Sequence, residues 1–330
     1  MAVSEFNLIR DYLNKPGLIP TPEQAASLPL GIGDDCALID LPAGKLLAVS
    51  MDTLVAEVHF PSKADPALIA QRALAVNLSD LAAMGAEPLA FTLSLSLPST
   101  EASWLEAFSQ GLKHMVQGYQ CPLIGGDISK GPLSITIQVH GLVDRGQALT
   151  RSGASVGDLV FVSGELGAAG LAVSLLNNGM SLDKTDRKAL HAAYYQPVPR
   201  MSLGQVSAGL ASAAIDISDG LLADLGHIAE LSGVGIEVDA ASVPVAQAVK
   251  NFMSAMGDKN KGLNLALSAG DDYELLLTVP ASKQALLQQR AEQIHVPLSL
   301  IGTVVTGNRV KCLDRDGREI EVTTKGYQHF

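Results

Sequence analysis

The chain has 330 residues and carries 23 lysines and arginines against 34 aspartates and glutamates, a formal net charge of −11. This acidic balance argues against binding nucleic acid or an anionic membrane through bulk charge. Hydrophobic residues make up 47% and charged residues 17%, which excludes a disordered chain, and the length favours two domains.

The cysteines and the apolar segments predict the compartment. Cys36, Cys121 and Cys312 lie far apart without CxxC spacing, so we expect neither a zinc site nor a disulfide framework. The acidic N-terminus does not resemble a signal peptide, and no apolar run is long enough to predict a membrane-spanning helix. We therefore expect a reduced, cytoplasmic protein.

Periodicity predicts alternating helices and strands in the first half. In the helix predicted over 65–84, Leu74, Leu78 and Leu81 recur at i, i+4 and i+7, and Asp80 borders their buried stripe. The predicted elements are a helix over 4–14, a strand over 45–51, a helix over 65–84, a strand over 89–97, a helix over 100–118 and a strand over 133–143.

Polar residues and glycines accumulate over 144–158 and mark a domain boundary, so we predict domains at 1–148 and 149–330. Both halves mix helices and strands, which indicates an α/β (α+β) fold. The elements predicted in the second half are strands over 159–163, 213–217, 235–239, 275–279 and 299–305, and helices over 168–177, 201–212 and 218–231.

Seven aspartates are spread along the chain, and most of them stand where a strand-like or helical run meets glycine. Gathering them in one place would be unfavourable in an acidic chain unless divalent cations held them. Oxygen ligands favour magnesium, which points to phosphate chemistry. The seven are Asp35 in GIGDDC, Asp52 in MDTLV, Asp80 in NLSDL, Asp127 in IGGDIS, Asp216 and Asp219 in DISDG, and Asp271 in GDDYEL.

Several of these patterns also have ordinary structural interpretations. Ser218 is a good N-cap that places Asp219 in the first helical turn, and capping competes with metal and phosphate binding there. The GGD at Asp127 is either a common turn or a phosphate loop. His59 suits core packing and ligand contact equally, and Arg151 is either a solvated loop residue or a phosphate clamp.

Common nucleotide motifs are missing from the sequence. It has no GxxxxGK[ST], no HRDxxxxN and no DFG, and GIGDDC is an incomplete dinucleotide fingerprint. A phosphate-handling enzyme with this sequence would therefore rely on metal ions and backbone amides.

Eight motifs in this order resemble the thiamine-monophosphate kinase family, and the resemblance covers nearly the whole chain. That family belongs to the superfamily of aminoimidazole ribonucleotide (AIR) synthetase, selenophosphate synthetase and the hydrogenase-maturation dehydratase. The motifs are GIGDDCAL, MDTLVAEVHF, AVNLSDLAAMGA, IGGDISKGPLSI, LTRSGA, DISDGL, GDDYEL and KGYQHF.

The resemblance implies a two-domain fold like that of AIR synthetase. The N-terminal domain would bind ATP and several magnesium ions and form a barrel-like interface in a homodimer, and the C-terminal α/β domain would cover the substrate. The implied reaction is phosphorylation of thiamine monophosphate by ATP to thiamine diphosphate, with no covalent nucleophile or general base.

Site residues follow from the resemblance motif by motif. Three positions depart from the usual family pattern, with Met51 and Ile128 in place of Thr and Asp271 in place of Glu. The implied magnesium positions are Asp35, Ser50, Met51, Asp52, Asp80, Asp127, Asp216 and Asp219. The implied nucleotide positions are Gly126, Asp127, Arg151 and Ser218, and the implied substrate positions are His59, Asp271 and Tyr327.

Two alternatives stay open. The first is another ATP-using enzyme of the superfamily, such as one like AIR synthetase, although GDDYEL and KGYQHF favour the thiamine kinases. Selenophosphate synthetase fits less well because no reactive cysteine lies near the N-terminus. The second is a non-catalytic protein with structural calcium, against which the scatter of carboxylates from Asp35 to Asp271 argues.

Overall fold

The computed structural model describes residues 5–178, 184–257, 259–320 and 322. These residues form two compact units. Unit 1 comprises the chain up to Leu81 together with Ala86–Gly146, and unit 2 comprises Ala82–Gly85 and the chain from Gln147 onward. The functional roles assigned to domains 1–148 and 149–330 stay a prediction.

The helices follow apolar periodicity, and the strands fall into two sheets. The α-helices are α1 (Glu5–Leu8), α2 (Pro66–Ala83), α3 (Ala102–Tyr119), α4 (Ala168–Asn178), α5 (Lys184–Tyr195), α6 (Met201–Ser207), α7 (Leu221–Ser232), α8 (Gln247–Ala255), α9 (Lys259–Ser268) and α10 (Gln284–Gln293). The strands are β1 (Lys45–Val55), β2 (Glu87–Leu97), β3 (Leu123–Lys130), β4 (Ser134–Asp144), β5 (Leu159–Ser163), β6 (Ala213–Asp216), β7 (Gly235–Asp239), β8 (Leu275–Val279), β9 (Leu298–Val305) and β10 (Val310–Leu313).

Unit 1 contains a four-stranded sheet in the order β1-β4-β2-β3. The pairs β1–β4 and β4–β2 are antiparallel, and β2–β3 is parallel. The side chains of β4 alternate, so that Ile135, Ile137 and Val139 are fully buried on one face. The sheet therefore has one face packed in the core, while the opposite face carries partly exposed side chains.

The pairing register assigns the functional side chains of β1 to these two faces. Asp52 pairs with the buried Ile137, whereas Met51 pairs with Gln138. Because side chains alternate along a strand, Ser50 and Asp52 lie on the buried face and Met51 lies on the open face. On the open face of this edge strand Val49 and Met51 are 49% and 60% exposed.

Unit 2 contains a six-stranded sheet in the order β10-β7-β9-β5-β8-β6. The pair β10–β7 is parallel, and the other neighbouring pairs are antiparallel. The edge strand β6 has the short sequence AAID, and all four residues are buried, with Ala213 and Ile215 in the hydrophobic core of this unit. This strand brings Asp216 to its carboxyl end.

The start of α7 corrects the sequence prediction. The sequence predicted that Ser218 caps this helix with Asp219 in its first turn, but Gly220 is the N-cap and α7 begins at Leu221. The Asp224 carboxylate accepts hydrogen bonds from the N–H groups of Asp219 and Gly220, at 3.1 and 3.0 Å. A carboxylate within the helix thus takes the capping role, because the glycine at φ 126° lets the chain turn before the helix.

The GGD motif also differs from its predicted conformation. The sequence indicated a turn or phosphate loop, but Gly125, Gly126 and Asp127 lie inside β3 and pair with β2. In addition, α6 ends at Ser207 rather than continuing to 212, because Gly209 adopts φ 72° and the chain turns away.

Among the described residues, no helix combines the length and the hydropathy that a membrane crossing needs.

Candidate functional site

The first candidate cluster of unit 1 lies where α2 packs on the buried face of β1. The Ser50 hydroxyl donates to Asp80 Oδ2 at 2.5 Å. The Asp52 N–H donates to Asn77 Oδ1 at 2.9 Å, and Asn77 Nδ2 donates to the Ala73 carbonyl at 2.8 Å. Three predicted magnesium positions, Ser50, Asp52 and Asp80, are thereby brought together, and Asn77 holds the strand in register with the helix.

Two carboxyl groups lie close together in this cluster. Burial, and secondly the charge of Asp80, raise the pKa of Asp52 to about 6. Two carboxylates and a hydroxyl supply the oxygen donors that magnesium prefers. This donor set fits the predicted metal.

Met51 does not share this cluster through its side chain, because it lies on the open face of the sheet, opposite Ser50 and Asp52. A metal ligand at position 51 would be the main-chain carbonyl, which every residue has. The replacement of Thr by Met therefore removes no ligand from the buried face.

A second group of predicted residues lines a cavity of about 550 Å³ in unit 1. Asp35, Gly126 and Asp127 all contribute to its wall, as does the N-terminal Phe6. Gly126 has φ 148°, and a Cβ at this position would overlap the Leu93 carbonyl oxygen. The glycine is therefore required by the close approach of β3 to β2, and its residue also lines the cavity.

Asp127 does not join the cluster around Asp52. It pairs with Ser94 of β2, whereas Gly126 pairs with the buried Leu93. Alternation therefore places the Asp127 side chain on the open face, and it is exposed. The predicted metal positions of unit 1 thus fall into a cavity group with Asp35 and Asp127 and a buried-face group with Ser50, Asp52 and Asp80.

In unit 2, the DISDG and GDDYEL motifs are directly hydrogen-bonded. The N–H of Asp271 donates to the Ser218 carbonyl, and the N–H of Tyr273 donates to the Ile217 carbonyl, both at 2.8 Å. The N–H of Ile217 donates in turn to the Glu274 carbonyl at 2.8 Å. Asp271 is therefore held beside Ser218, close to the end of β6 at Asp216.

Asp224 and His227 were missed by the sequence analysis. Ligand atoms of Asp219, Asp224 and His227 lie within 4.8 Å of one another. The pKa of Asp224 is raised to about 7, chiefly by burial and also by the charge of Asp219. The hydrogen bond from the Gly220 N–H opposes this rise. The available signal was the spacing of Asp224 and His227 at i and i+3 on the predicted helix.

Arg151, His59 and Tyr327 complete the predicted positions. Arg151 is exposed in a loop whose Thr150 carbonyl accepts from the N–H of Ala214, beside the start of β6. His59 Nδ1 accepts from the Val55 N–H at 3.0 Å, so this ring nitrogen stabilises the turn after β1. Tyr327 lies outside the described residues.

Two family matches cover most of the chain. The N-terminal domain of AIR synthase related proteins matches residues 33–143, and the C-terminal domain matches residues 155–315. Thiamine-monophosphate kinase of Escherichia coli strain K12 is 42% identical over 100% of this chain and 99% of its own length. The chain belongs to the thiamine-monophosphate kinase family. The kinase of Bacillus subtilis strain 168 is 34% identical over 99% of this chain and 100% of its own length.

Solved kinases of this family have the same fold. The crystal structure of thiamine-monophosphate kinase from Stenotrophomonas maltophilia K279a is 39% identical, covers 97% of this chain and 99% of its own, and gives a TM-score of 0.85. A structure described as AaThiL complexed with AMPPCP and TMP is 33% identical, with coverage of 91% and 92% and a TM-score of 0.78. These similarities confirm the expected two-domain α/β fold and the family of kinases.

A similar fold occurs in a protein of different name. The hydrogenase maturation protein HypE, in a structure described as a complex with ATP, is 19% identical, covers 97% of this chain and 94% of its own, and gives a TM-score of 0.75. At this identity the similarity shows the fold alone, because one fold can carry different functions.

Proposed function

We propose that this chain transfers the γ-phosphoryl group of ATP to thiamine monophosphate and releases thiamine diphosphate and ADP. The observation that carries the proposal is the similarity to AaThiL, described as complexed with AMPPCP and TMP, at 33% identity over 91% of this chain. AMPPCP is an analogue of ATP, and TMP is an abbreviation of thiamine monophosphate. The thiamine-monophosphate kinase of Escherichia coli strain K12 aligns with 100% of this chain.

Magnesium is the proposed metal. Several magnesium ions are expected, and their proposed ligands are Asp35, Ser50, Met51, Asp52, Asp80, Asp127, Asp216 and Asp219, with Met51 contributing through its carbonyl. Support comes from the oxygen donors around Ser50 and from the pKa of Asp52, which burial and the neighbouring Asp80 raise to about 6. When bound, magnesium supplies charge neutralisation of phosphate oxygens and alignment for in-line transfer.

The proposed nucleotide positions are Gly126, Asp127, Arg151 and Ser218. Gly126 offers close approach of backbone within the cavity of unit 1, and the exposed Arg151 guanidinium suits bidentate pairing with phosphate. These residues would orient the anionic phosphates, with Asp127 acting through magnesium, and such positioning is the main task of the protein in phosphoryl transfer.

The proposed substrate positions are His59, Asp271 and Tyr327. The acceptor is a phosphate monoester with a second pKa near ~6, so its oxygen is already largely ionised at neutral pH. The reaction therefore needs no general base, and none of the carboxylates needs to act as a nucleophile. The test is whether purified protein consumes ATP only when thiamine monophosphate is present.

A homodimer is the proposed assembly. The edge strand β1 presents Val49 and Met51 on its open face, and both are about half exposed or more. Apolar side chains on an unprotected edge strand are typical of an interface. The cytoplasmic location stays a prediction that rests on cysteine usage.

Val49→Asp is expected to weaken self-association by at least about tenfold, because it buries an unpaired charge in the proposed interface. Sedimentation equilibrium measures the dissociation constant. The matched control is Val173→Asp, at a valine of α4 in unit 2 that is 38% exposed. This variant should leave the dissociation constant unchanged. Equal dissociation constants for the two variants would remove β1 from the interface.

A further inference from the structure

The segment Gly270–Glu274 follows an unusual path beside the DISDG turn. Asp271 and Tyr273 have φ of 75° and 51°, which places two non-glycine residues in the left-handed region. Each costs about 1–2 kcal/mol. Gly270 leaves no room for a side chain, because a Cβ there would overlap the Ser218 carbonyl oxygen. Such a path persists only where neighbouring contacts hold it.

Asp272 provides the first of these contacts. Its two carboxylate oxygens accept from the single N–H of Gly167, at 3.0 and 2.9 Å. Gly167 directly precedes α4, so the carboxylate faces the positive end of this helix. Burial raises the pKa of Asp272 well above its ordinary value, and the N–H of Gly167 opposes that shift. The carboxyl group thus ties the segment to the turn before α4.

Glu274 provides the second contact, and it is buried. Arg200 donates from Nε to Oε2 at 2.6 Å and from Nη2 to Oε1 at 2.5 Å, a bidentate ion pair. The Ser163 hydroxyl donates to Oε2 at 2.5 Å and itself accepts from the N–H of Leu275 at 2.9 Å. A Cβ at Gly164 would overlap this carboxylate, so the neighbouring chain is shaped around it.

Both anchors directly follow Asp271, the residue proposed to contact the substrate, at one and three positions along the chain. Asp272 is bound to Gly167 and Glu274 to Arg200, while the N–H of Asp271 is fixed to Ser218. We propose that Asp272 and Glu274 are positioning residues, which hold Asp271 at the place where it contacts the phosphate acceptor. This inference rests on the proposed function, in which Asp271 contacts thiamine monophosphate.

The experiment is a double-mutant cycle on Asp271 and Asp272. Asp272→Ala should raise the KM for thiamine monophosphate about tenfold, the equivalent of one lost charge-assisted contact, while the KM for ATP changes less than about twofold. If Asp272 acts through Asp271, the KM of the double variant for thiamine monophosphate should equal that of Asp271→Ala alone. Asp272→Asn retains an acceptor for Gly167 and should recover most of the loss.

Two further variants separate positioning from general damage. Asp158 is a buried carboxylate of the same unit that accepts from the Ser155 N–H and the Ser212 hydroxyl, and Asp158→Ala should leave the KM for thiamine monophosphate unchanged. Ser163→Ala removes one hydrogen bond from Glu274 and should raise that KM by about threefold.

Several outcomes would overturn the inference. The first is that the effects of Asp271→Ala and Asp272→Ala on the KM for thiamine monophosphate are additive. The second is that Asp158→Ala raises this KM as much as Asp272→Ala does. The third is that Asp272→Ala leaves this KM unchanged, or that Ser163→Ala does. These outcomes leave the proposed function intact. An unchanged KM in Asp271→Ala would instead contradict the substrate role of Asp271 itself, and wild-type protein inactive on thiamine monophosphate would contradict the proposed function.

Discussion

Asp52→Asn is expected to lower kcat for thiamine diphosphate formation by at least about 10³-fold, as removal of a central electrostatic group does. The substitution keeps the shape of the side chain but removes the negative charge that would hold magnesium beside Asp80. The N–H of Asp52 would still bind Asn77, so the helix and strand remain in register. Steady-state kinetics at saturating ATP and magnesium measure the loss.

The same substitution should make the metal-free protein more stable. The pKa of Asp52 is raised from 3.8 to about 6 in the folded chain, so the folded state holds a proton that the unfolded state has lost between these values. The free energy of unfolding therefore falls as pH rises from about 4 to about 6 and stays lowered above that range. Asn removes this penalty, so above pH 6 the variant should gain about 1–2 kcal/mol, discounted for partial exposure. Below pH 4 the gain should vanish.

Asp144→Asn is the matched control for Asp52→Asn. Asp144 ends β4 of the same sheet and is exposed, with a surface ion pair to Lys45 at 3.1 Å. Such a pair contributes about 0–1 kcal/mol, so turnover and the pH dependence of stability should follow the wild type. Near-normal turnover of Asp52→Asn at saturating magnesium would show that Asp52 is not a metal ligand.

Gly126→Ala is expected to lower the free energy of unfolding by about 3 kcal/mol or more and to abolish nucleotide binding. The new Cβ would overlap the Leu93 carbonyl oxygen, and φ of 148° is unfavourable for any residue with a side chain. Relief would require β3 to move away from β2, which would also displace Asp127 from the cavity wall. Urea unfolding and titration with an ATP analogue measure the two effects.

The neighbouring Gly125 offers a control one residue away. A Cβ at Gly125 would meet only the Thr92 methyl group, at the ordinary contact distance of 3.8 Å. Gly125→Ala should therefore cost less than about 1 kcal/mol of stability. Equal costs for the two alanines would contradict the close approach assigned to Gly126.

Local sequence chemistry predicted the regular elements well where side-chain periodicity was strong. The helix predicted over 65–84 is observed as Pro66–Ala83, and the strand predicted over 89–97 is observed as Glu87–Leu97. Periodicity also predicted that Asp80 borders the buried stripe of that helix, and Asp80 is half-buried. These features depend on residues close together in the chain.

Sequence reasoning failed where a distant partner decides the conformation. The GGD motif suits a turn locally, but pairing with β2 makes it part of β3. A competing local contact decides the start of α7, because Asp224 rather than Ser218 satisfies the N–H groups of Asp219 and Gly220. The hydrogen bond between Ser50 and Asp80 joins residues thirty positions apart, so no local pattern could predict it.

The site residues came from the resemblance more than from local pattern. Asp272 and Glu274 follow Asp271 closely in GDDYEL, and the sequence does not show that their contacts differ. In the folded chain Asp272 accepts from Gly167, and Glu274 pairs with Arg200. Composition alone cannot tell a carboxylate that anchors a segment from one that faces a substrate.

The most direct test of the proposed reaction follows the γ-phosphoryl group itself. ATP labelled at the γ-position would be incubated with thiamine monophosphate, magnesium and the purified full-length chain, and the products would be separated. The proposed function predicts that the label appears in thiamine diphosphate, with one ADP formed for each molecule of product. Label released as inorganic phosphate without thiamine diphosphate would contradict it and favour another ATP-using enzyme of the superfamily.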